Sequence, residues 1–386
     1  MRESYNPLSV GNPTQLDPFL GDSSRFWLVG MTIDTAHNNA PSIPESVFCF
    51  YQLTFAIITA ALICGAFADR MKFISMLVFV SIWHIVVYCP ITHWVWHPNG
   101  FLFEAGALDF AGGTVVHICS GMSGLAVIRV IGNRKGFGKE RFEPHNILYT
   151  VVGASMLWVG WMGFNGGSEV AADGKAGMAC LVTQISTAMA SLTWMITDWI
   201  MVGKPSVLGM VSGAVAGLVC VTPGSGYVDP TGGFFMGAIA GPVCYFGAIL
   251  KHKLGYDDAL DAFGVHAVGG MLGAILTAFF ASKAVAPGIL TDGILYEESN
   301  GVGGTPTSRA ELLGLQIYAV VVTLGYSFFM TYAICKVIDL TIGLRVSESD
   351  EEEGLDSSMH GESMEGSAQT DKVEEIEIDE DYLYDA

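Results

Sequence analysis

The sequence predicts an all-α membrane protein, and three observations favour this fold class. Of 386 residues, 51% are hydrophobic and only 15% are charged, whereas a water-soluble domain carries about 25% charged residues. The mean hydropathy is +0.46. Apolar runs of about 20 residues, long enough to cross a hydrocarbon layer, predict nine transmembrane helices, at 46–68, 73–96, 109–132, 147–168, 177–200, 205–224, 231–250, 260–282 and 312–338.

The formal net charge of −20 is concentrated near the C-terminus. From Val346 onward, 16 Asp and Glu residues stand against one lysine, Lys372, so the preceding 345 residues carry a net charge of only −5. Such a composition is typical of a solvated segment without a packed core. We therefore expect an acidic tail over 341–386, separate from the membrane region.

The basic residues orient the chain, because Lys and Arg concentrate in cytoplasmic loops. With the N-terminus outside, 12 of the 18 basic residues fall in inner loops or at inner helix ends, against five outside. This predicts an extracellular segment over 1–45, a transmembrane domain over 46–340 and a cytoplasmic tail over 341–386. The first residues lack the basic start and apolar core of a signal peptide. The external segment would therefore have to cross the membrane without a signal sequence. For this reason we expect a truncated N-terminus.

Small residues predict a tightly packed bundle. The chain has 47 glycines, in patterns such as GAVAGL and GAIAG that let membrane helices approach closely. All eight cysteines lie in apolar runs without the spacing of a zinc or redox site. We interpret them as small hydrophobic residues.

Two segments of the chain resemble each other. LDFAGGTVVHICSGMSG and LDAFGVHAVGGMLG align Leu108-Asp109 loosely with Leu260-Asp261, and from His117 and His266 onward both read H-x-x-small-G-M-x-G. The two helices run in opposite directions under the charge assignment. An inverted repeat has this property, and such repeats place the transport site near the midplane of the membrane.

A histidine inside a membrane span is rare and is a functional candidate. A lone one such as His84 is best interpreted as a core residue bonded to a carbonyl. The pair His117 and His266 instead predicts two neutral imidazoles that share a proton and line a narrow lumen. Neither has a third ligand beside it at helical spacing, which argues against a metal site.

Two aspartates precede these histidines. Asp109 is predicted to begin its helix on the outer side, where a carboxylate can cap free backbone N–H groups. Near an entry vestibule, its charge would also favour cations. The residues alone leave both roles open. Asp261, near the cytoplasmic start of the other helix, is expected to be a cap that supports the pore side.

Four stretches carry a resemblance to a known family: DFAGGTVVHICSG, GWMGFNGGS, GKPSVLGMVSGAVAGLVCVTPGSGYV and DAFGVHAVGG. They resemble the ammonium transporter family (Amt/Mep/Rh), on its Amt branch, and the similarity runs from about Tyr51 to Gly361. The resemblance implies an inverted-repeat bundle of eleven helices, assembled as a homotrimer with one pore per subunit, in the plasma membrane. The nine helices here correspond to the third through the eleventh, so the first half of the repeat is incomplete.

The resemblance also implies roles for individual residues. His117 and His266 match the twin pore histidines, and Phe55 and Phe164 match the outer gate. The external recruitment site corresponds to Trp96, Ser168 and Tyr51, with Tyr51 standing where the bacterial branch usually has phenylalanine. Asp109 matches the aspartate below that site, Trp161 the pore-side tryptophan, and Ser358 falls where the plant branch has a phosphorylatable threonine.

The chemistry of these residue types agrees with ammonium as substrate. Aromatic faces attract a cation by about 0.5–2 kcal/mol each, and Ser168 can accept a hydrogen bond that potassium cannot donate. Beyond Phe55 and Phe164, a bare charge in an apolar lumen would cost several kcal/mol or more. We therefore expect NH₄⁺ to part from its proton near the gate and NH₃ to pass the histidines, with or without separate proton transfer.

Competing interpretations predict different observations. A non-conducting ammonium sensor, or a truncated regulatory homologue, would use the same recruitment site and signal through the tail. An intramembrane enzyme is disfavoured because the sequence has no nucleophile motif or metal triad. GNRKGFGKERF lacks the Lys-Ser/Thr ending of a phosphate-binding loop; no nucleic-acid partner and no cofactor is expected, and the partners are ammonium, ammonia and the lipid bilayer.

Overall fold

The computed structural model describes residues 17–21, 23, 25–140, 142, 144–289, 292–295 and 309–362. Within that part of the chain, nine helices are long and apolar enough to cross a membrane, as predicted. They are α1 Glu45–Phe67, α2 Phe73–Ala105, α3 Gly113–Ile131, α4 Ile147–Glu169, α5 Gly174–Val202, α6 Val207–Gly224, α7 Pro230–Leu254, α8 Phe263–Phe280 and α9 Arg309–Thr341.

Several of these helices are irregular. α2 consists of Phe73–Trp83, a π-helical turn at His84–Tyr88, Cys89–Trp96 and, after a break, Phe101–Ala105. A 3₁₀ turn closes α4 at Gly167–Glu169 and α6 at Thr222–Gly224, and the first turns of α3 and α8 are π-helical. π-Helical turns are rare and are often found at functional sites.

The external segment departs from a purely helical fold. A 3₁₀ turn at Phe26–Leu28 is followed by two short antiparallel strands, β1 Ala36–His37 and β2 Ala40–Pro44. β2 leads directly into α1, and Arg25 forms an ion pair with Glu45 at the junction. The hairpin therefore fixes where the first membrane helix begins.

The helices have capped starts and apolar outer faces. Asn146, Asp173, Ser206 and Asp229 each accept a hydrogen bond from a backbone N–H in the first turn of α4, α5, α6 or α7, which satisfies a donor that has no partner within the helix. Large apolar side chains face outward, including Val159, which is 76% exposed. Such faces suit contact with lipid.

Glycines bring α5, α6 and α7 into contact, as the sequence predicts. A Cβ atom added at Gly217 of α6 would lie 2.6 Å from the carbonyl oxygen of Ser186 in α5. One at Gly237 of α7 would lie 2.2 Å from the same oxygen. Both distances are too short for a carbon atom, so only glycine permits this approach.

The inner loops form a buried ionic cluster. Arg70, with no exposed side-chain surface, lies 3.7 Å from Asp257, and Arg134 donates to the same carboxylate at 2.8 Å. Burial alone would raise the pKa of Asp257, but the bonds from Arg134 and the charge of Arg70 hold it below its usual value. Burial lowers the pKa of Arg70 to about 10, so it stays charged near neutrality.

The beginning of the acidic tail is ordered against this cluster. A short helix, α10 Glu348–Glu353, is capped by Ser347. Arg345 donates to Glu351 at 2.7 Å and to the carbonyl of Asn133 at 2.7 Å, and Lys135 pairs with Glu352. The sequence pattern predicts no order for most of this tail, and the residues next to the membrane region are nevertheless held by opposite charges on a loop of the same chain. Residues 363–386 lie outside the described residues.

Candidate functional site: a histidine pair beneath an outer cavity

The two histidines singled out by the repeat meet inside the bundle. His117 lies in the π-helical turn Gly113–Ile118 and His266 in Phe263–Ala267. Their Nδ1 atoms are 3.3 Å apart and their rings are stacked, with centroids 5.4 Å apart. The exposed fraction of His117 is 0% and that of His266 is 9%, so both are enclosed by protein rather than turned toward lipid.

Two glycines explain how the helices approach closely enough for this contact. Each lies four residues after a histidine, on the same face of its helix. A Cβ atom at Gly121 would lie 2.4 Å from the backbone nitrogen of Ala267, which follows His266. A Cβ atom at Gly270 would lie 2.8 Å from the carbonyl oxygen of Gly113 and 3.1 Å from the Cβ of His117. The repeated H-x-x-x-G is thus a reciprocal packing contact.

Asp109 caps the first histidine-bearing helix. Its carboxylate accepts hydrogen bonds of 2.7–3.1 Å from four consecutive backbone N–H groups, those of Gly112, Gly113, Thr114 and Val115. These are groups that the first turn of a helix leaves without internal partners. The side chain is 6% exposed, and its position fixes the start of α3.

The second cap is Asp258, and the prediction that Asp261 caps α8 is wrong. Asp258, 1% exposed, accepts from the N–H groups of Ala262 and Phe263 at 3.0 and 2.8 Å. Asp261 has a positive φ of 56° and accepts instead from Lys251 at 2.7 Å. The eight-residue separation of Asp109 from His117 recurs between Asp258 and His266. The loose alignment of the two Leu-Asp pairs obscured this equal spacing.

Trp161 lies against the histidine pair. Its ring stacks on His117 at 5.3 Å with an interplanar angle of 12°, and its Nε1 donates to Thr222 Oγ1 at 2.9 Å. Thr222 in turn lies 3.3 Å from Asn165, whose side-chain amide donates to Thr183. These three polar supports lie in apolar runs and were not predicted, since a single buried hydroxyl or amide gives no periodic signal.

A continuous line of aromatic rings joins the pair to the side of the bundle on which α1 and α3 begin. His117 lies 6.1 Å from Phe164, Phe164 lies 4.5 Å from Phe55, and Phe55 lies 5.3 Å from Trp96, all between ring centroids. Phe55 is only 1% exposed. The two gate candidates therefore touch each other directly above the histidines.

The recruitment candidates gather at the end of this line that lies away from the histidines. The Tyr51 hydroxyl lies 3.0 Å from Ser168 Oγ and 2.5 Å from the carbonyl oxygen of Phe164, to which Ser168 also donates at 2.9 Å. Trp96 Nε1 donates to the backbone carbonyl of Asp109 at 2.8 Å. Phe55, Trp96, Asp109 and Ser168 line one cavity of about 1050 Å³.

Comparison with known proteins agrees with this arrangement. The model of the "Ammonium Transporter Family" matches residues 8–365. The chain is 44% identical to an ammonium transporter of Bacillus subtilis over 83% of this chain and 76% of that protein. It is 45% identical to one of Aquifex aeolicus over 92% of this chain and 76% of that protein. This chain belongs to the ammonium transporter family.

Solved structures give the same result for the fold. The crystal structure of Saccharomyces cerevisiae Mep2 superposes with a TM-score of 0.77 at 33% identity, over 87% of this chain and 74% of that one. A protein described as a sensor Amt protein superposes with a TM-score of 0.74 at 28% identity, over 84% and 78%. The prediction of an Amt-like helical bundle is confirmed, with nine membrane helices among the described residues, and this family member is a multi-pass membrane protein.

Ser358 lies beyond α10, in a π-helical turn over Asp356–His360. Its hydroxyl donates to the carbonyl oxygen of Asp350 at 3.3 Å, and its N–H donates to the carbonyl of Gly354 at 2.9 Å. The side chain is partly exposed. It therefore lies next to the helix through which the tail binds the inner loop, far from the histidine pair in sequence.

Proposed function

We propose that this chain moves ammonium across a membrane by binding NH₄⁺ at the outer cavity and passing NH₃ along the histidine pair. The observation that carries the proposal is the 3.3 Å contact between His117 and His266 at the buried end of the aromatic line. The ammonium transporters among its relatives support the substrate.

Recruitment is proposed at Trp96, Tyr51 and Ser168. The indole offers an aromatic face to a cation. The hydroxyls of Tyr51 and Ser168 both direct their protons toward the carbonyl of Phe164, which leaves oxygen lone pairs to accept hydrogen bonds from NH₄⁺. An alkali cation has no such proton to donate, so this site selects ammonium over alkali cations by hydrogen bonding, while the aromatic face attracts either cation.

Asp109 is proposed to act as a cap and through its charge, rather than as a direct ligand of the ion. Its two oxygens already accept four backbone N–H bonds, about as many as a carboxylate can accept. Its negative charge still stabilises a cation in the adjoining cavity.

Separation of the proton is proposed at Phe55 and Phe164, where the contact between rings leaves no room for a hydrated ion. NH₄⁺ transfers its proton to water in the cavity, giving H₃O⁺ there, and NH₃ continues. With the Nδ1 atoms of the pair sharing one proton, the outer Nε2 edges are free to bond ammonia in transit. His117 Nε2 is buried and has no hydrogen-bond partner within the described residues, which fits this use.

Organisation and regulation are also proposals. We infer an extracellular segment over 1–45, a membrane domain over 46–340 and a cytoplasmic tail over 341–386, in homotrimers at the plasma membrane. Phosphorylation of Ser358 would add negative charge beside an acidic helix and weaken its binding to Lys135 and Arg345. Phosphomimetic Ser358→Asp should therefore change uptake; unchanged uptake would exclude this regulation.

Growth of an uptake-deficient cell on scarce ammonium tests the transport proposal. The unmodified chain should restore growth and methylammonium uptake. His117→Ala removes the ring contact and should abolish rescue, whereas Trp96→Leu should raise the apparent KM while leaving some transport, because it removes recruitment but not the pore. Rescue by His117→Ala equal to that of the unmodified chain would contradict the proposal.

A non-conducting sensor is the second candidate. It is favoured by the likeness to a protein described as a sensor Amt protein and by the close contact of Phe55 with Phe164, which closes the line of rings. A sensor would bind ammonium in reconstituted membranes without uptake into vesicles. Uptake that requires both histidines would exclude this alternative.

A further inference from the structure

The outer cavity contains a lysine ammonium group held in an aromatic cage. Lys175 Nζ lies 5.1 Å from the ring centroid of Phe110 and 5.9 Å from that of Tyr227. It lies 2.8 Å from the Glu169 carboxylate. Both aromatic distances are within the range of a cation–π interaction, which extends to about 6 Å. All four residues line the same cavity as Trp96.

The walls of this cage are fixed by the backbone. A Cβ atom at Gly226 would lie 2.1 Å from the Phe110 ring, so only glycine admits the ring at this position. The Phe110 N–H donates to Pro223, and the Tyr227 N–H donates to Gly224 at 2.7 Å. The two rings meet edge to face at 5.6 Å. The cage is therefore a built feature and does not depend on the flexible lysine for its shape.

The carboxylate wall adjoins the proposed recruitment site. Glu169 directly follows Ser168 in the 3₁₀ turn Gly167–Glu169. Lys175 reaches it from the first turn of α5, where Asp173 accepts from the Lys175 N–H at 3.0 Å. The side chains of Lys175 and Glu169 are 28% and 17% exposed. A cation in this cavity thus meets both the cage and two of the recruitment residues, Trp96 and Ser168.

We propose that Phe110, Tyr227 and Glu169 form a second external site for ammonium-type cations, and that Lys175 occupies it as a tethered competitor. A lysine side chain ends in a primary alkylammonium group. The binding of this group between the rings therefore shows which ligand the cage accepts. It is a small cation with N–H donors, bound by two aromatic rings and one carboxylate. While Lys175 is bound there, its charge also opposes entry of a further cation. This deepens the transport proposal and rests on it only for its physiological meaning.

Equilibrium binding of methylammonium chloride to the full chain in lipid nanodiscs tests the site, with calorimetry at constant ionic strength. Trp96→Leu removes the proposed recruitment site and should lower binding. Adding Lys175→Met, which keeps an unbranched side chain but lacks the charged Nζ, should restore one binding equivalent. Adding Glu169→Gln as well should abolish it again. Lys175→Arg keeps the cage filled by a cation and should bind as the Trp96→Leu protein does.

Uptake gives a second measurement. Lys175→Met alone should lower the apparent KM for methylammonium roughly twofold to tenfold, and high salt should shrink the effect. The matched control is Lys283→Met, because Lys283 lies on the outer side under the charge assignment and is not among the residues that line the cavity. It should leave the KM unchanged.

Two results would overturn the second site. The first is that the double variant Trp96→Leu, Lys175→Met binds no more methylammonium than the single variant Trp96→Leu. The other is a KM of Lys175→Met equal to that of Lys283→Met. The binding measurement needs no transport, so a chain that binds at the cage but takes up nothing would refute the transport proposal and support the cage.

Discussion

The two histidine-bearing helices begin with the same device in different surroundings. Asp109 gives its whole hydrogen-bonding capacity to four backbone N–H groups at the N-terminal end of α3. Asp258 accepts two at the N-terminal end of α8 and lies beside the pair formed by Lys251 and Asp261. Both halves of the repeat thus place an aspartate eight residues before the histidine, while the number of bonds and the neighbouring charges differ.

The largest expected effect separates the two caps. Asp109→Ala leaves four buried N–H groups without their acceptor and should destabilise the protein by roughly 3 kcal/mol or more. Asp258→Ala removes two bonds at a more polar end and should cost about 1–2 kcal/mol. Thermal unfolding in detergent should therefore give a clearly lower Tm for Asp109→Ala. Equal or reversed losses would break the comparison.

The next effect concerns the reciprocal glycines. At Gly121 an added methyl would meet the backbone nitrogen of Ala267 at 2.4 Å, whereas at Gly270 it would meet a carbonyl oxygen at 2.8 Å. Overpacking of this kind costs about 1–3 kcal/mol. Gly121→Ala should reduce both Tm and methylammonium uptake, and Gly270→Ala should reduce them less.

Gly160→Ala is the matched control for the glycine pair. Gly160 lies in α4, and an added Cβ atom there would have no neighbour within 4 Å. Alanine also has a better helix propensity than glycine, so the Tm should stay the same or rise. A loss of uptake in this control as large as in Gly121→Ala would show that glycine substitution acts without the helix contact.

The smallest expected effect concerns the ionisation of Asp258, which distinguishes the cap of α8 from that of α3. Burial and the neighbouring Asp261 raise the pKa of Asp258 to about 6, against its N–H donors and Lys251. Because this exceeds its value of 3.8 in a model peptide, ionisation of Asp258 opposes folding. The stability linked to this carboxyl is greatest below about pH 4 and is lost as the pH rises to about 6.

Asp258→Asn tests this linkage because its side chain is neutral at every pH. The Tm of the unmodified protein minus that of the variant should grow as the pH falls from about 7 to about 4. Taking the difference removes the titration of other groups. A difference that stays constant or shrinks toward acid pH would contradict the raised pKa.

The sequence predicts those features of the fold that produce a long apolar run or a repeated motif. Nine apolar runs predict the nine membrane helices found in the part of the chain that the structure describes, and the doubled H-x-x-small-G predicts a histidine pair whose rings the structure brings together. The position of Asp261 just before α8 predicts a cap there, but the capping carboxylate is that of Asp258, three residues earlier. The φ of 56° at Asp261 belongs to a turn that periodicity does not reveal.

Other features depend on three-dimensional placement alone. Thr222, at the end of α6, accepts a hydrogen bond from Trp161, and Asn165, one turn after Trp161 in α4, bonds to Thr222. Neither residue stands out in its apolar run. Lys175 counted in the sequence only as one of five external basic residues, because nothing in the local pattern shows that Phe110, 65 positions earlier, lies under its ammonium group. The order of α10 arises likewise from charges on a distant loop.

The most direct test of the central claim is ¹⁵N solid-state NMR of histidine-labelled protein in bilayers. The account predicts a through-hydrogen-bond coupling between two Nδ1 atoms, which disappears in both His117→Gln and His266→Gln. This follows from their 3.3 Å separation, within hydrogen-bond reach. The contact would be contradicted if the Nδ1 resonances of His117 and His266 show no coupling and no proximity, and if neither resonance changes when the other histidine is replaced.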